Sequence, residues 1–275
     1  MTPFDFFFKY DIMKTKLYRS YVIAKYAYRK IGTGPLIDAC ELALNQKGKY
    51  YCTTPGCTAS MHTRSLEKES ACFVSDNINE HINPRICQVK DSFNFYKYDE
   101  SKFNLFDCFN YILSTPQQPQ NQERVPRRQI GENETEKLPI RTLKTLYEMC
   151  IQYRAKGYYN NYKIDDILVD DYNFNQYKDN ICGERIVCCT FYQYDKTNST
   201  ISMNYLSDYQ NKNFENAKHI KLIVKNNMFE KCLNKLFDLT HENIVVVAGN
   251  WNSSNEEDIL AECEIYSVGK QICNA

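Results

Sequence analysis

Y-Y-C-T-T-P-G-C runs from Tyr50 to Cys57, and E-H-I-N-P-R-I-C runs from Glu80 to Cys87. Two cysteines on either side of a Pro-Gly reversal, followed by a histidine and a cysteine after a spacer, form the layout of a four-ligand metal site. A tetrahedral ion such as Zn²⁺ takes two pairs of ligands, each pair delivered by a short turn, and the ion takes over the work of a hydrophobic core. Cys52 and Cys57 make one pair, His81 and Cys87 the other, and Pro55-Gly56 turns the chain within the first. Both spacings are wider than a C-x2-C pair, so the competing reading stays open: these cysteines are small buried hydrophobes in a reducing cell. Cys72 is a rival ligand but stands beside Phe73 and Val74, which favours a core position, and His62 reads as a surface residue.

Composition narrows the class. A chain of 275 residues with 43% hydrophobic content has room for one large or two ordinary domains. Lys+Arg and Asp+Glu are equal at 34 each, so there is no global basic field, and any nucleic-acid site must be a local patch or a stacking surface. The 13 cysteines are an odd number in a long chain. No signal peptide is legible, because Lys9 and Asp11 follow Phe6–Phe8 at once, and no apolar run is long enough for a membrane span. These features lead us to expect a cytoplasmic protein with reduced thiols and no membrane partner.

Outward from the cysteines, the aromatic N-terminal stretch reads as a strand ending near Ala27. Leu36, Ala39, Cys40, Leu42 and Ala43 repeat at helical intervals, which predicts a short helix ending by Gly48. The order of that helix, then Gly48-Lys49-Tyr50-Tyr51-Cys52, Pro55-Gly56-Cys57, the basic His62 and Arg64, Phe73 and a late histidine resembles the amino-terminal zinc module of competence CoiA-like proteins. The resemblance covers about residues 36–87. It departs from the family in Cys-x4-Cys and in lacking the nuclease-like domain, so it implies zinc and a DNA-handling context and lends nothing to a catalytic claim.

Phe93, Phe95 and Tyr96 suggest a strand, and Phe103 to Leu113 a short helix. Residues 114–138, rich in Pro, Gln, Asn and charge, lack the apolar surface needed to offset ordering entropy. They divide the chain into a zinc-binding α+β domain (1–113), a flexible linker (114–138) and a second domain (139–275). The second domain opens with a helix from about Pro139 to Ala155 and a strand from Lys163 to Val169. Asp165, Asp166, Asp170 and Asp171 surround that strand. Paired carboxylates can hold Mg²⁺ for phosphodiester chemistry, but no Glu-x-Lys partner follows, and aspartates are common turn residues.

From Gly183 the elements read strand (Arg185–Tyr194), strand (Thr200–Leu206), strand (His219–Val224), helix (around Phe229–Phe237), strand (Asn243–Trp251), strand (Ala261–Val268). This order, with Gly249 inside I-V-V-V-A-G-N-W, resembles OB-fold nucleic-acid-binding domains, which carry a helix between strands three and four. The resemblance implies a five-stranded barrel that binds single strands on aromatic platforms. The residues it nominates are Tyr192, Tyr194, Tyr205 and Trp251 for bases, and Lys221 and Lys225, with Lys212 and Lys218 near, for phosphates. Trp251, at the edge of an Asn/Ser-rich loop, is expected to be exposed.

The expectation is therefore an α+β chain, a small zinc module plus an OB-like barrel, that binds single-stranded DNA or RNA without catalysis. The alternatives are a protein-interaction factor, an inhibitor or adaptor from a phage or mobile element, and a metal-dependent nuclease. No Ser-His-Asp set, phosphate-cradling glycine loop or HExxH is present, and Cys188-Cys189 has no histidine at a telling position.

Overall fold

The computed structural model describes residues 23–68, 71–75, 77–82, 87, 97–115, 137–205, 218–240 and 244–275. The proposed strand around Phe93–Tyr96, residues 116–136 of the proposed linker, and Lys212 lie outside these. The fold is mixed α+β and dominated by sheet.

The first module is a four-stranded antiparallel sheet. In it β1 (Ile23–Ala24) pairs with β6 (Cys72–Val74), β6 with β5 (Ser60–Arg64), and β5 with β4 (Lys49–Tyr51). The helix expected over Leu36–Gly48 does not form. Ile37–Asp38 (β3) pairs instead with Tyr26–Ala27 (β2), and the Asp38 carboxylate accepts from Cys40 N at 2.9 Å to cap a single 3₁₀ turn, Ala39–Glu41. Strand pairing and an aspartate cap outcompete a weak helical periodicity here. The module's core is thin: of its twelve buried members four are alanines and three are Cys52, Cys57 and Cys87.

The second half is built on a seven-stranded sheet: β9 (Leu168–Val169), β10 (Gly183–Asp195), β11 (Thr200–Tyr205), β12 (His219–Val224), β13 (Val245–Trp251), β14 (Ile259–Ile265) and β15 (Ile272–Asn274). The order across it is β14-β12-β11-β10-β13-β15, and β9 runs beside the first part of β10. β12 and β14 are parallel; the other pairs along that path are antiparallel. The strand expected over Lys163–Val169 is broken in two. Tyr162–Lys163 (β8) forms a hairpin with Tyr158–Tyr159 (β7), and a helical turn, α3 (Ile164–Ile167), intervenes before β9.

The sheet curls without closing. The end of β13 meets β14 through one bridge, in which Asn252 and Glu262 exchange backbone hydrogen bonds of 2.9 and 2.8 Å. Gly249 permits that approach. A Cβ there would stand 2.7 Å from Cys263 Sγ, 2.8 Å from Cys263 Cβ and 3.3 Å from the Trp251 ring. Gly249→Ala is therefore expected to destabilise the chain by about 1–3 kcal/mol, as overpacked cores do, which a denaturant titration reads directly. An unchanged midpoint would show that β13 and β14 can part freely.

Two clusters flank the sheet. On the concave side α4 (Asn226–Thr240) lays Phe229, Cys232, Leu233 and Leu236 over Val187, Cys189, Ile201, Met203, Leu222 and Val247. On the other side α1 (Leu105–Leu113) and α2 (Leu143–Tyr153) cover Ile186, Cys188, Val246 and Ala248. Tyr26 of the first module joins this second cluster, edge-on to Tyr153 at 5.9 Å. Lys270 Nζ donates to Ser114 Oγ at 2.8 Å, tying the end of α1 to the C-terminal strand region. Elements on both sides of residues 114–138 thus share one hydrophobic cluster.

Candidate metal centre and nucleic-acid face

The first ligand pair sits in the β4–β5 hairpin. Cys57 N donates to Thr54 O at 3.0 Å and Gly56 has φ of +77°, a type II turn with Pro55 and Gly56 in its central positions. Within it Thr54 N donates to Cys52 Sγ at 3.5 Å. His81 follows a 3₁₀ turn, Ile78–Glu80, and Glu80 accepts from Ser60 Oγ at 3.5 Å, which anchors that turn to β5. Tyr50, packed against Phe73 with ring centroids 4.7 Å apart, closes the floor.

All four expected ligands, Cys52, Cys57, His81 and Cys87, are buried, and their ligand atoms lie within 4.8 Å of one another. A tetrahedral ion with metal–sulfur bonds of about 2.3 Å sets its donors roughly 3.8 Å apart, so a small contraction completes the site. The donors fit the group chemically as well. His81 Nδ1 stands 3.5 Å from Cys57 Sγ, and its Nε2 is buried with no hydrogen-bond partner among the described residues. A hydrogen bond to Cys87, together with burial, pushes the Cys52 thiol well above its ordinary value. A bound dication reverses that balance, because it binds the thiolate. This cluster can hold a metal ion. Cys72 and His62 are not part of it: Cys72 is half-buried on β6 and His62 is exposed on β5.

Among the described residues no other group of three or more His, Cys, Asp or Glu side chains is placed to share an ion, the four aspartates included. Asp170 is instead committed to a buried ion pair with Arg154 and accepts from Tyr172 N at 3.0 Å, while Asp165 accepts from Asn173. Arg154 and Gln152 also line a cleft together with Cys52 and Cys87. This pairing of Arg154 with Asp170 had no signal in the sequence beyond the residue types. None of the 13 cysteines forms a disulfide. Burial pushes the Cys188 and Cys189 thiols above their ordinary values, the opposite of an activated nucleophile.

The six residues nominated for nucleic acid divide. Tyr205 and Trp251 are buried, at 3% and 1% exposure, which corrects the expectation that they present rings to solvent. Tyr205 alternates with Ile201 and Met203 on the concave face, and its hydroxyl donates to Phe174 O. Trp251 packs into the same cluster, and its Nε1 donates to Arg185 O at 3.1 Å.

Tyr192 and Tyr194 are exposed but point opposite ways. The register of β10 against β11 slips between Phe191 and Gln193, so Tyr192 is an extra, bulged residue. Tyr194 pairs with Ile201 and tilts onto Phe229 of α4, on the concave side. Tyr192 turns to the convex side and stacks on His219, with centroids 4.2 Å apart and planes 8° from parallel. Lys221 shares that face and pairs with Glu256 of the β13–β14 loop. Lys225 lies beyond the end of β12, over the Tyr266 ring at 5.8 Å. Sequence reasoning missed His219, the partner that fixes Tyr192.

No helix among the described residues is long and apolar enough to cross a membrane. Compared with known proteins, the chain matches no protein-family model, no curated protein and no solved structure.

Proposed function

We propose that this chain is a zinc-containing, non-enzymatic protein that binds single-stranded nucleic acid on the convex face of β10, β11 and β12. The observation that carries the reading is the strand pairing. β10 pairs with β11 and β13, β11 with β12, and β12 runs parallel to β14, with α4 inserted between β12 and β13. This pairing supports the reading of an OB-like, partly open five-stranded barrel, a fold whose second and third strands form the usual binding face.

The helices α1 and α2 cover the convex face only over β10 and β13. Thr200, Ser202, Lys221 and Ile223 on β11 and β12 remain part-exposed, and Tyr192 stands beside them with 44% of its surface open. An open aromatic beside polar strands is a sequence-tolerant platform for bases. Cys₃His is a common donor set of structural zinc sites, and the resemblance of residues 36–87 to a zinc module of DNA-handling proteins agrees with it.

Anisotropy of labelled single-stranded DNA and RNA at low salt tests the reading. The chain should bind both sugars weakly, and Tyr192→Ala should lose one stacking contribution, about 1–3 kcal/mol, a Kd weaker by roughly 5- to 150-fold. Trp251→Phe should leave binding intact, because the indole faces the core. Unchanged anisotropy with every oligonucleotide would overturn the proposal in favour of a protein-interaction scaffold.

A further inference from the structure

Two of the three ligand cysteines, Cys52 and Cys87, line a cleft together with Thr53, Thr54, Gln152 and Arg154. They are 5% and 7% exposed, whereas Cys57 is 0% exposed and does not line the cleft. The cleft offers about 40 Å³, enough for more than one water-sized molecule, and its polar side chains suit a small hydrogen-bonding one.

The same two cysteines are paired inside the cluster. Cys52 and Cys87 are hydrogen-bonded to each other, while Cys57 Sγ has His81 Nδ1 as its neighbour at 3.5 Å. A disulfide sets its sulfurs roughly 2 Å apart, so a modest closure links two sulfurs already in contact. The thiolate is the form that oxidants attack, and a cysteine held by a metal ion is a thiolate. The cluster thus offers a small oxidant two neighbouring thiolates on an open side.

We propose that the cleft admits hydrogen peroxide and that Cys52 and Cys87 are its site of modification, closing into a disulfide that expels the metal. This rests on the zinc reading above. One thiolate attacks a peroxide oxygen: the S–O bond forms, the O–O bond breaks, and hydroxide leaves and takes a proton to become water. The second thiolate attacks that sulfur: the S–S bond forms, the S–O bond breaks, and the other hydroxide leaves as water in the same way. The sulfurs together lose two electrons, and the peroxide oxygens gain them. An ion left with only Cys57 and His81 is no longer held by a four-ligand structural site, and it departs. A thiol reductant reopens the bridge by exchange, so the modification is reversible.

The test uses the full chain with Cys40→Ser and Cys182→Ser, which removes the two exposed thiols. Zinc-loaded protein is treated with hydrogen peroxide, freed zinc is read with a chromogenic chelator, and peptide mapping locates the disulfide. In reductant the ion should stay bound. With peroxide, one zinc should leave for each Cys52–Cys87 bridge formed, and dithiothreitol with added zinc should restore the starting state. Ala155 also lines the cleft. Ala155→Leu should slow release about fivefold with zinc content and thermal midpoint unchanged, because oxidation follows access to the thiolate. Should that variant fail to fold, the peptide mapping still decides. Zinc retained in excess peroxide, a bridge that includes Cys57, or an unchanged rate in folded Ala155→Leu overturns the proposal and leaves the metal centre standing. Reduced, folded protein that holds no zinc overturns both.

Discussion

Removing the metal is expected to unfold residues 24–87 and leave the seven-stranded sheet intact. The reason lies in what the first module buries. Five large side chains, Leu42, Tyr50, Met61, Leu66 and Phe73, make up its apolar core, the remainder being alanines and the ligand cysteines. A core of that size does not offset the ordering of such a segment, and small modules rely on a metal for this reason. Structural zinc contributes about 10–16 kcal/mol to the folding of zinc-finger peptides, as much as the whole stability of an ordinary domain. Purified protein should therefore hold close to one zinc per chain through gel filtration and release it only to strong chelation or denaturation. Cys52→Ser and Cys57→Ser should each lose the ion and expose the module to protease, whereas Cys72→Ser should do neither, because Cys72 lies outside the cluster. A fully folded chain with far less than one equivalent of metal would refute the site. Acid should release the ion as well, since protons compete for thiolate and imidazole.

That site was legible in the sequence because its chemistry resides in residue type and spacing. Cys52, Cys57, His81 and Cys87 are recognisable before any fold is known, and the Pro55-Gly56 turn between the first two is local. The strands were legible for a similar reason: period-two alternation marks His219–Val224 regardless of its partners. What alternation cannot convey is which face is covered. Trp251 borders a polar loop in sequence, yet the curl of the sheet turns it inward beside Gly249 and Cys263. Tyr192 and Tyr194 share a parity in sequence and are separated by a bulge that only pairing with β11 defines. The failed helix at Leu36–Ala43 belongs to the same class, because Ile37 and Asp38 are claimed by β2, ten residues earlier in the chain. The aspartates are the sharpest case. A cluster of four in seven residues suggests a metal, and the partner that claims Asp170 lies back at Arg154, at the end of α2.

Breaking that pair should have the second largest effect. The side chains of Arg154 and Asp170 are only 10% and 9% exposed, so the charges interact with little screening by solvent. The guanidinium also lies over the Tyr172 ring, 4.9 Å from its centroid, and the Asp170 backbone is held by Asn173 Oδ1 at 3.0 Å. Deleting one member strands the other as a buried, unpaired charge, which costs about 3–5 kcal/mol. For a chain of this size that corresponds to a midpoint roughly 10 °C lower. Asp170→Ala and Arg154→Met should each show it. The double variant Arg154→Met with Asp170→Leu should recover much of the loss, because no uncompensated charge remains, and the two single effects should be strongly non-additive. The cycle also separates two roles for Asp170. A carboxylate held for Mg²⁺ and phosphodiester chemistry is strained by its neighbours, and its removal tends to be neutral or stabilising. A carboxylate held for Arg154 is missed at once. If Asp170→Ala leaves the midpoint unchanged, the ion pair is not what keeps Asp170 buried, and the metal-dependent reading of the aspartates regains its footing.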